Sequence, residues 1–297
     1  LAIFGYIAPA LHFRYRDATF YRRSRLETDT SLREIAGEIS SVESGANARL
    51  DAVLESQVGR FRSVRQVLNK EDVDLLVSSA APSLGLDIHE NHLQYLAKRV
   101  ISVEKNMRGR IASTVATQVL RNLCVLSQEN SKVKVLEVGV LFGGATLCFW
   151  DVLYGRKRVL HFTLVDFFNG YYEKGLDPLT GEVVNEAVVR QNLTKSGLTP
   201  DDYQLMKGDS TDPALVAELA AQRYDLLLID GDHSFQGVSQ DYKNFGGLVK
   251  ANGLILIDDY KNPSWPEVTR FVDEELMHDS RLTPVFLGLE TAVFRVV

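Results

Sequence analysis

The chain has 297 residues, of which 45% are hydrophobic and 24% are charged, as in a globular protein with one large domain or one domain and an appendage. Its net charge of −6 at pH 7 argues against a general nucleic-acid binder, because such proteins usually have a basic balance. The only two cysteines, Cys124 and Cys148, lie in apolar stretches outside any metal-binding pattern, so we expect reduced core thiols in a reducing compartment.

Residues 1–30 are predicted to form an N-terminal arm. Residues 1–11 are apolar but too few to span a bilayer, and several arginines follow them. Because the chain begins with Leu1 rather than Met, we expect that something upstream has been removed or left out. Two interpretations stay open: the end of a membrane anchor or targeting segment, which would bring residues 1–25 to a membrane, and an arm that packs on a partner subunit.

A long helix is predicted over residues 31–70. Ser31 and Glu34 form a capping-box pattern at its start. Apolar residues then follow in alternating steps of three and four, as in a coiled coil, and the steps of four from Leu50 resemble a stutter. An amphipathic helix folded back on its own domain explains the pattern equally well. Either way, we expect the helical extension over 31–112 to serve a homo-oligomer or a larger assembly rather than chemistry.

Further helices are predicted over residues 71–131, with a break around 81–85, before a region in which strand and helix patterns alternate. This alternation predicts an α/β fold over 113–297, with a doubly wound, mostly parallel seven-stranded sheet covered by helices on both faces. The last two strands are expected to form a terminal antiparallel hairpin. The strand-like runs are 133–138, 161–165, 203–206, 225–229, 254–257, 283–287 and 291–297.

Acidic residues follow all five parallel strands of this predicted sheet. Because a ligand of a doubly wound sheet lies at the carboxyl ends of its strands, these acids are expected to meet at one site. Glycines after the first strand allow close approach of a ligand to the backbone and to the N-terminus of the next helix. In chain order the candidates are Glu137, Gly139, Gly143 and Gly144; Asp166; Asp209 and Ser210; Asp230, Asp232 and His233; and Asp258 and Asp259.

Two common nucleotide sites do not fit this pattern. A nicotinamide site has the spacing Gly-x-Gly-x-x-Gly, with an acid about 20 residues further on. Here the glycines are Gly139, Gly143 and Gly144, and the acid of the second strand, Asp166, comes later. A nicotinamide-dependent oxidoreductase is therefore disfavoured. The sequence also has no Gly-x-x-x-x-Gly-Lys-Ser/Thr loop, which argues against a P-loop NTPase.

Residues from about 115 to 297 resemble the class I S-adenosylmethionine-dependent methyltransferases, whose fold is Rossmann-like. The particular likeness is to the metal-dependent O-methyltransferases of small molecules and macrolide sugars, and to a group labelled cephalosporin-hydroxylase-like. Three motifs carry this resemblance, at the ends of the first, fourth and fifth strands. They are Glu-Val-Gly-Val-Leu-Phe-Gly-Gly (137–144), Ile-Asp-Gly-Asp-His-Ser-Phe-Gln-Gly-Val (229–238) and Gly-Leu-Ile-Leu-Ile-Asp-Asp-Tyr (253–260).

The resemblance implies a role for each group of residues. Glu137, Gly139 and Gly143 would cradle the methionine part of S-adenosylmethionine, with Asp230 beside them. Asp166 would accept hydrogen bonds from both ribose hydroxyls, because a carboxylate offers two acceptor oxygens. Asp209 and Ser210 would lie near the adenine.

A divalent cation is expected between the ends of the fourth and fifth strands. The resemblance implies that Asp230, Asp258 and Asp259 bind it, and hard cations such as Mg²⁺ prefer carboxylate oxygens. Three clustered carboxylates without a cation would also repel one another. An alternative stays open, in which one aspartate caps a helix and another contacts the cofactor amine.

The predicted function is Mg²⁺-assisted O-methylation of a small hydroxylated metabolite, similar to a sugar or a polyketide. His233 is the first candidate for general base, because its ordinary pKa suits neutral pH, and Asp232 is the second. An aromatic loop after the second strand, together with Trp265, is expected to wall the acceptor pocket. The alternative is a methyltransferase-like subunit with a structural role in a larger complex and weak or no catalysis.

Overall fold

A computed structural model describes residues 68–154, 159–170 and 175–297. The arm predicted over 1–30, and all but the end of the helix predicted over 31–70, lie outside these ranges. The coiled coil and the oligomer it would form therefore stay predictions. Among the described helices, none has both the length and the apolar character needed to cross a membrane.

The described chain opens with helices, as predicted. The first is capped by Asn69, whose side chain accepts a hydrogen bond of 2.7 Å from the backbone N–H of Asp72. A π-helical turn, Leu76–Ala80, joins the first two helices, and Gly85 ends this run with φ +73° at the predicted break. The four helices are α1 (Lys70–Leu75), α2 (Ala81–Ser83), α3 (Glu90–Asn106) and α4 (Val115–Leu126).

Strands and helices then alternate, and every predicted strand is present within two residues at each end, except that the fifth begins five residues earlier. The strands are β1 (Lys132–Val138), β2 (Val159–Asp166), β3 (Tyr203–Lys207), β4 (Tyr224–Ile229), β5 (Val249–Asp258), β6 (Leu282–Gly288) and β7 (Thr291–Val296). The helices between them are α5 (Gly144–Leu153), α6 (Glu186–Lys195), α7 (Pro213–Leu219), α8 (Phe235–Phe245) and α9 (Pro266–Glu274).

The seven strands form one sheet in the order β3-β2-β1-β4-β5-β7-β6. The first five are parallel, and β6 and β7 form the predicted antiparallel hairpin against β5. The strand order reverses between β1 and β4, where Val138 pairs with Ile229. This switch point places the ends of β1 and β4 side by side, which is where a doubly wound sheet binds its ligand.

Apolar side chains cover both faces of the sheet. The helices α3, α4 and α5 pack in a hydrophobic core on one face, and α7, α8 and α9 pack on the other. Helix α4 is buried on all sides from Val115 to Val125. Cys124 and Cys148 are buried free thiols, as predicted, and burial raises the pKa of Cys124 to about 12.

Candidate functional site

The loop between β1 and α5 has glycine at two positions that the backbone requires. Gly139 has φ +85°, and a Cβ there would lie 1.9 Å from the carbonyl oxygen of Asp230. Gly143 has φ +80° and is the N-cap of α5. Gly139 therefore lets the end of β1 lie against the end of β4, and Gly143 starts the helix in the left-handed conformation that favours glycine.

Glu137, the predicted contact of the methionine part, is buried beside this loop. Its side chain accepts a hydrogen bond from the hydroxyl of Thr146, one turn into α5. Burial raises the pKa of Glu137 to about 8, and the Thr146 hydroxyl and the charge of Arg121 offset this effect only in part. The carboxyl is therefore largely protonated at neutral pH in this state.

Asp166, the predicted ribose ligand, holds the same loop from β2. Its Oδ2 accepts hydrogen bonds from the backbone N–H groups of Val140 (2.7 Å) and Leu141 (3.1 Å), and its Oδ1 accepts one from Phe168 (2.7 Å). A carboxylate offers about four lone-pair sites, so these bonds leave roughly one for a ligand. Leu141 and Phe168 both have positive φ, at 52° and 49°, a strained conformation for side chains of this size.

Asp209 and Ser210, predicted near the adenine, follow β3 and are held by local and helical contacts. Asp209 Oδ1 accepts from the backbone N–H of Thr211 at 2.8 Å, and Asn244 of α8 donates to the carbonyl oxygen of Ser210 at 2.9 Å. Asp209 is exposed, whereas Ser210 is half-buried. The two residues are thus positioned beside α8 at the carboxyl edge of the sheet.

Asp232, the second candidate for general base, has a structural role at the start of α8. Its Oδ1 accepts from the backbone N–H of Ser234 at 2.9 Å, and its Oδ2 accepts from the Ser234 hydroxyl at 2.9 Å. Its carboxylate is thus committed to the turn that starts the helix. Asp232 is exposed and lines an open pocket with Thr211, Ser234, Gln236, Gly237 and Gln240.

Asp230, His233 and Asp259 meet where β4 and β5 end. His233 Nε2 lies 2.9 Å from Asp259 Oδ2 and 3.7 Å from Asp230 Oδ1. The His233 ring stacks on Trp265, with centroids 4.4 Å apart and planes 19° from parallel. One oxygen or nitrogen atom from each of the three residues lies within 4.8 Å of the others, a spacing that suits a metal ion.

Asp258, the third predicted metal ligand, is instead paired with an arginine that the sequence prediction missed. Arg121 of α4 places one terminal nitrogen 2.5 Å from Asp258 Oδ1 and 3.6 Å from Asp230 Oδ2. The arginine side chain is only 2% exposed. An arginine in the segment 119–126, whose other residues are apolar except Asn122, was the available signal, because such a residue seldom lies in a core without a charged partner.

The charges of this cluster shift its pKa values in opposite directions. Burial and the charge of Asp258 raise the pKa of Asp230, whereas the guanidinium of Arg121 outweighs burial and lowers the pKa of Asp258. Burial lowers the pKa of His233, but hydrogen bonds and charges from Asp230 and Asp259 outweigh it and raise the value to about 10. His233 therefore keeps its proton at neutral pH in this arrangement.

Residues 136–260 match the family described as "Methyltransferase domain". This segment runs from β1 to the loop after β5 and includes every site residue predicted from the sequence. It is a class I S-adenosylmethionine-dependent methyltransferase domain. The predicted family, fold class and enzyme class of this methyltransferase are thus confirmed.

Two further similarities extend beyond the matched segment. The chain is 26% identical over 177 residues to "Uncharacterized protein R132" of Acanthamoeba polyphaga mimivirus. This match covers 58% of the chain and 71% of the viral protein. The solved structure of the O-methyltransferase NovP is 18% identical and superposes with a TM-score of 0.54, covering 70% of this chain and 99% of NovP. At this identity, the NovP likeness concerns the fold.

Proposed function

We propose that this methyltransferase transfers the methyl group to a hydroxyl oxygen of a small metabolite, similar to a sugar or a polyketide, with assistance from a divalent cation. The cluster of Asp230, His233 and Asp259 carries the proposal, because it lies beside the glycine loop at the switch point of the sheet. NovP, which is named as an O-methyltransferase, has the same fold and supports oxygen as the acceptor atom.

The charge balance at the carboxyl edge suits a cationic cofactor. The acids Glu137, Asp166 and Asp230 interact electrostatically around the loop, and the nearest buried cation, Arg121, is paired with Asp258. S-Adenosylmethionine, when bound, supplies the methyl group from its positively charged sulfonium. Its ammonium and sulfonium would compensate carboxylates that burial disfavours.

The proposed cofactor contacts keep the predicted order along the sheet. Gly139 and Gly143 shape the loop that receives the methionine part, and Glu137 lies behind it. Asp166 has room for about one more hydrogen bond, so we propose that it accepts from one ribose hydroxyl rather than from two. Asp209 and Ser210 stay assigned to the adenine side.

The cluster has the donor atoms that a divalent cation needs. Asp230 and Asp259 offer carboxylate oxygens, which suit Mg²⁺, and His233 offers an imidazole nitrogen, which adds affinity for ions such as Mn²⁺. A cation bound there would lower the pKa of an acceptor hydroxyl and orient it. His233 Nε2 faces two carboxylates, so its geometry suits a ligand better than a general base.

The acceptor is proposed to lie against aromatic side chains at the carboxyl edge of the sheet. Trp265 covers the His233 ring, and Phe167, directly after β2, is 51% exposed. Aromatic faces of this kind bind the apolar faces of sugars and polycyclic metabolites, while the cluster receives the hydroxyl.

Calorimetric titration with S-adenosylhomocysteine, in Mg²⁺ and again with a chelator, tests the cofactor site. We expect roughly micromolar binding, the range of many enzyme ligands, that Asp166→Ala weakens and Asp201→Ala leaves unchanged. Asp201 is a matched control, because it is an exposed acid in the turn before β3. Folded protein that does not bind in either condition would favour the structural role in a larger complex.

Methyl transfer to oxygen is tested with S-adenosylmethionine, Mg²⁺ and a panel of hydroxylated sugars and polyketides. Mass spectrometry should show a methyl ether on at least one acceptor and turnover that falls when the chelator is added. Methylation of nitrogen or carbon instead of oxygen would contradict the proposed acceptor atom.

A further inference from the structure

Arg121 has an unusual position for a buried cation. It lies in the middle of α4, a helix whose residues from Val115 to Val125 are all buried, and its guanidinium points at the acids that end β4 and β5. Among the described residues, its Nε has no hydrogen-bond partner. A buried guanidinium with an incomplete set of partners is costly to fold, so its place beside the reaction site calls for a functional reason.

The guanidinium divides the predicted metal triplet into two parts. Asp258 Oδ1 contacts Arg121 at 2.5 Å, a charge-assisted pair that compensates the charge of this carboxylate. Asp259, the next residue, has φ +60° and turns its carboxylate to His233. Asp230 stands between the two parts, with Oδ2 at 3.6 Å from Arg121 and Oδ1 at 3.7 Å from His233.

We propose that Arg121 is a positioning residue that keeps Asp258 out of the metal-ligand set, so that a divalent cation binds between Asp230, His233 and Asp259. This set of two carboxylates and one imidazole suits cations that accept nitrogen, such as Mn²⁺, as well as or better than Mg²⁺. The inference rests on the proposed function only in that it concerns the same site.

The proposal predicts that removal of a buried cation strengthens metal binding. Arg121→Met frees the Asp258 carboxylate and takes away a positive charge, so Mn²⁺ should bind about tenfold more tightly or better. Arg121→Lys keeps the charge and should bind Mn²⁺ nearly as the wild type does. If Arg121 had a purely structural role, Arg121→Met would leave the Mn²⁺ affinity unchanged or lower it.

The double variant Arg121→Met/Asp258→Asn gives the sharpest test, because it removes both members of the ion pair and keeps the net charge. If Asp258 is not a ligand, its Mn²⁺ affinity should stay within about threefold of the wild type, as for a near-neutral change. Asp259→Asn and His233→Gln should each weaken Mn²⁺ binding about tenfold or more, because the first removes a carboxylate charge and the second removes the imidazole nitrogen.

The experiment is a titration of Mn²⁺ into the full chain, with free Mn²⁺ followed by its EPR signal. Loss of affinity in the double variant would overturn the proposal, and so would wild-type protein without saturable binding. Should variants at Arg121 fail to fold, pulsed EPR on wild-type protein still decides, because an imidazole ligand gives a ¹⁴N coupling that a site of carboxylates lacks. S-Adenosylhomocysteine binding on the same samples separates this outcome from failure of the proposed function.

Discussion

Two aspartates lie at opposite ends of β4, and their surroundings differ sharply. Asp225, near the start of the strand, accepts hydrogen bonds from the side chain of Asn130 (2.8 Å), the backbone N–H of Lys134 (2.8 Å) and the ammonium of Lys250 (2.7 Å). Asp230, directly after the strand, has two cations of the described residues near it, Arg121 at 3.6 Å and His233 at 3.7 Å.

The difference separates an acid that stabilises the fold from one that is available to a ligand. Asp225 is 2% exposed, and its oxygens accept from three donors in two segments of the chain, the start of β1 and the start of β5. Burial and the charge of Asp258 raise the pKa of Asp230, so an incoming cation would stabilise its carboxylate. The amino end of this strand therefore holds a buried, fully hydrogen-bonded acid, and the proposed reaction site lies at its carboxyl end.

The largest effect on stability is expected at Asp225. Asp225→Ala leaves three donors without their acceptor. It should lower the free energy of unfolding by about 3 kcal/mol. Urea denaturation measures this loss. S-Adenosylhomocysteine should still bind the folded variant with wild-type affinity, and a variant that unfolds no more easily than the wild type would contradict the assigned role.

Asp230 should show the opposite behaviour. Asp230→Asn keeps the shape but removes the charge, so kcat should fall about 100-fold, a loss of about 2.7 kcal/mol in the transition state. The free energy of unfolding should change by less than about 1 kcal/mol, because repulsion from Asp258 is relieved at the same time. Comparison of turnover and urea denaturation for the two aspartates checks the contrast, and an Asp230 variant that is unstable yet fully active would refute it.

Asp166 is expected to combine both kinds of behaviour. Asp166→Ala removes the acceptor of Val140 and Leu141 and frees the loop, so S-adenosylhomocysteine should bind about tenfold more weakly, the loss expected for one charged hydrogen bond. Asp166→Asn keeps one acceptor oxygen and should lose less. Calorimetry measures both, and equal affinity in Asp166→Ala and the wild type would exclude a role in cofactor binding.

Glu137 offers a smaller effect that depends on pH. Its pKa is about 8 in the folded protein and 4.5 ordinarily, so the unfolded chain releases this proton first and stability falls as pH rises from about 4.5 to 8. Glu137→Gln removes this fall. The stability of the variant relative to the wild type should therefore increase from pH 5 to pH 8, by at most about 1.4 kcal/mol for each pH unit.

Urea denaturation at intervals across this range measures the difference, and parallel profiles for the two proteins would contradict it. Thr146 serves as an internal control, because its hydroxyl can donate to a glutamine oxygen as it does to Glu137. Thr146→Val removes this donor and should lower the free energy of unfolding at every pH. It should not abolish the fall in stability with rising pH that Glu137→Gln abolishes.

Much of the fold follows from local patterns that the sequence contains. Apolar runs with β-branched residues predict the strands, and the spacing of helices between them predicts a parallel sheet with a terminal hairpin. The carboxyl ends of parallel strands meet at one edge, so acids at those ends could be assigned to one site without coordinates. This reasoning placed Glu137, Asp166 and Asp230 at one edge of the sheet because their positions depend on topology, and their roles toward a cofactor stay predictions.

Which partner each of these acids contacts depends on tertiary contacts that no local sequence pattern encodes. Arg121 reaches the site from a helix that precedes the sheet, more than one hundred residues before its partner Asp258. Asp258 and Asp259 are neighbours in the sequence, yet the strand end and a positive φ turn one toward Arg121 and the other toward His233. Side-chain direction and charge compensation follow from packing in three dimensions, which is why they became visible only in the folded chain.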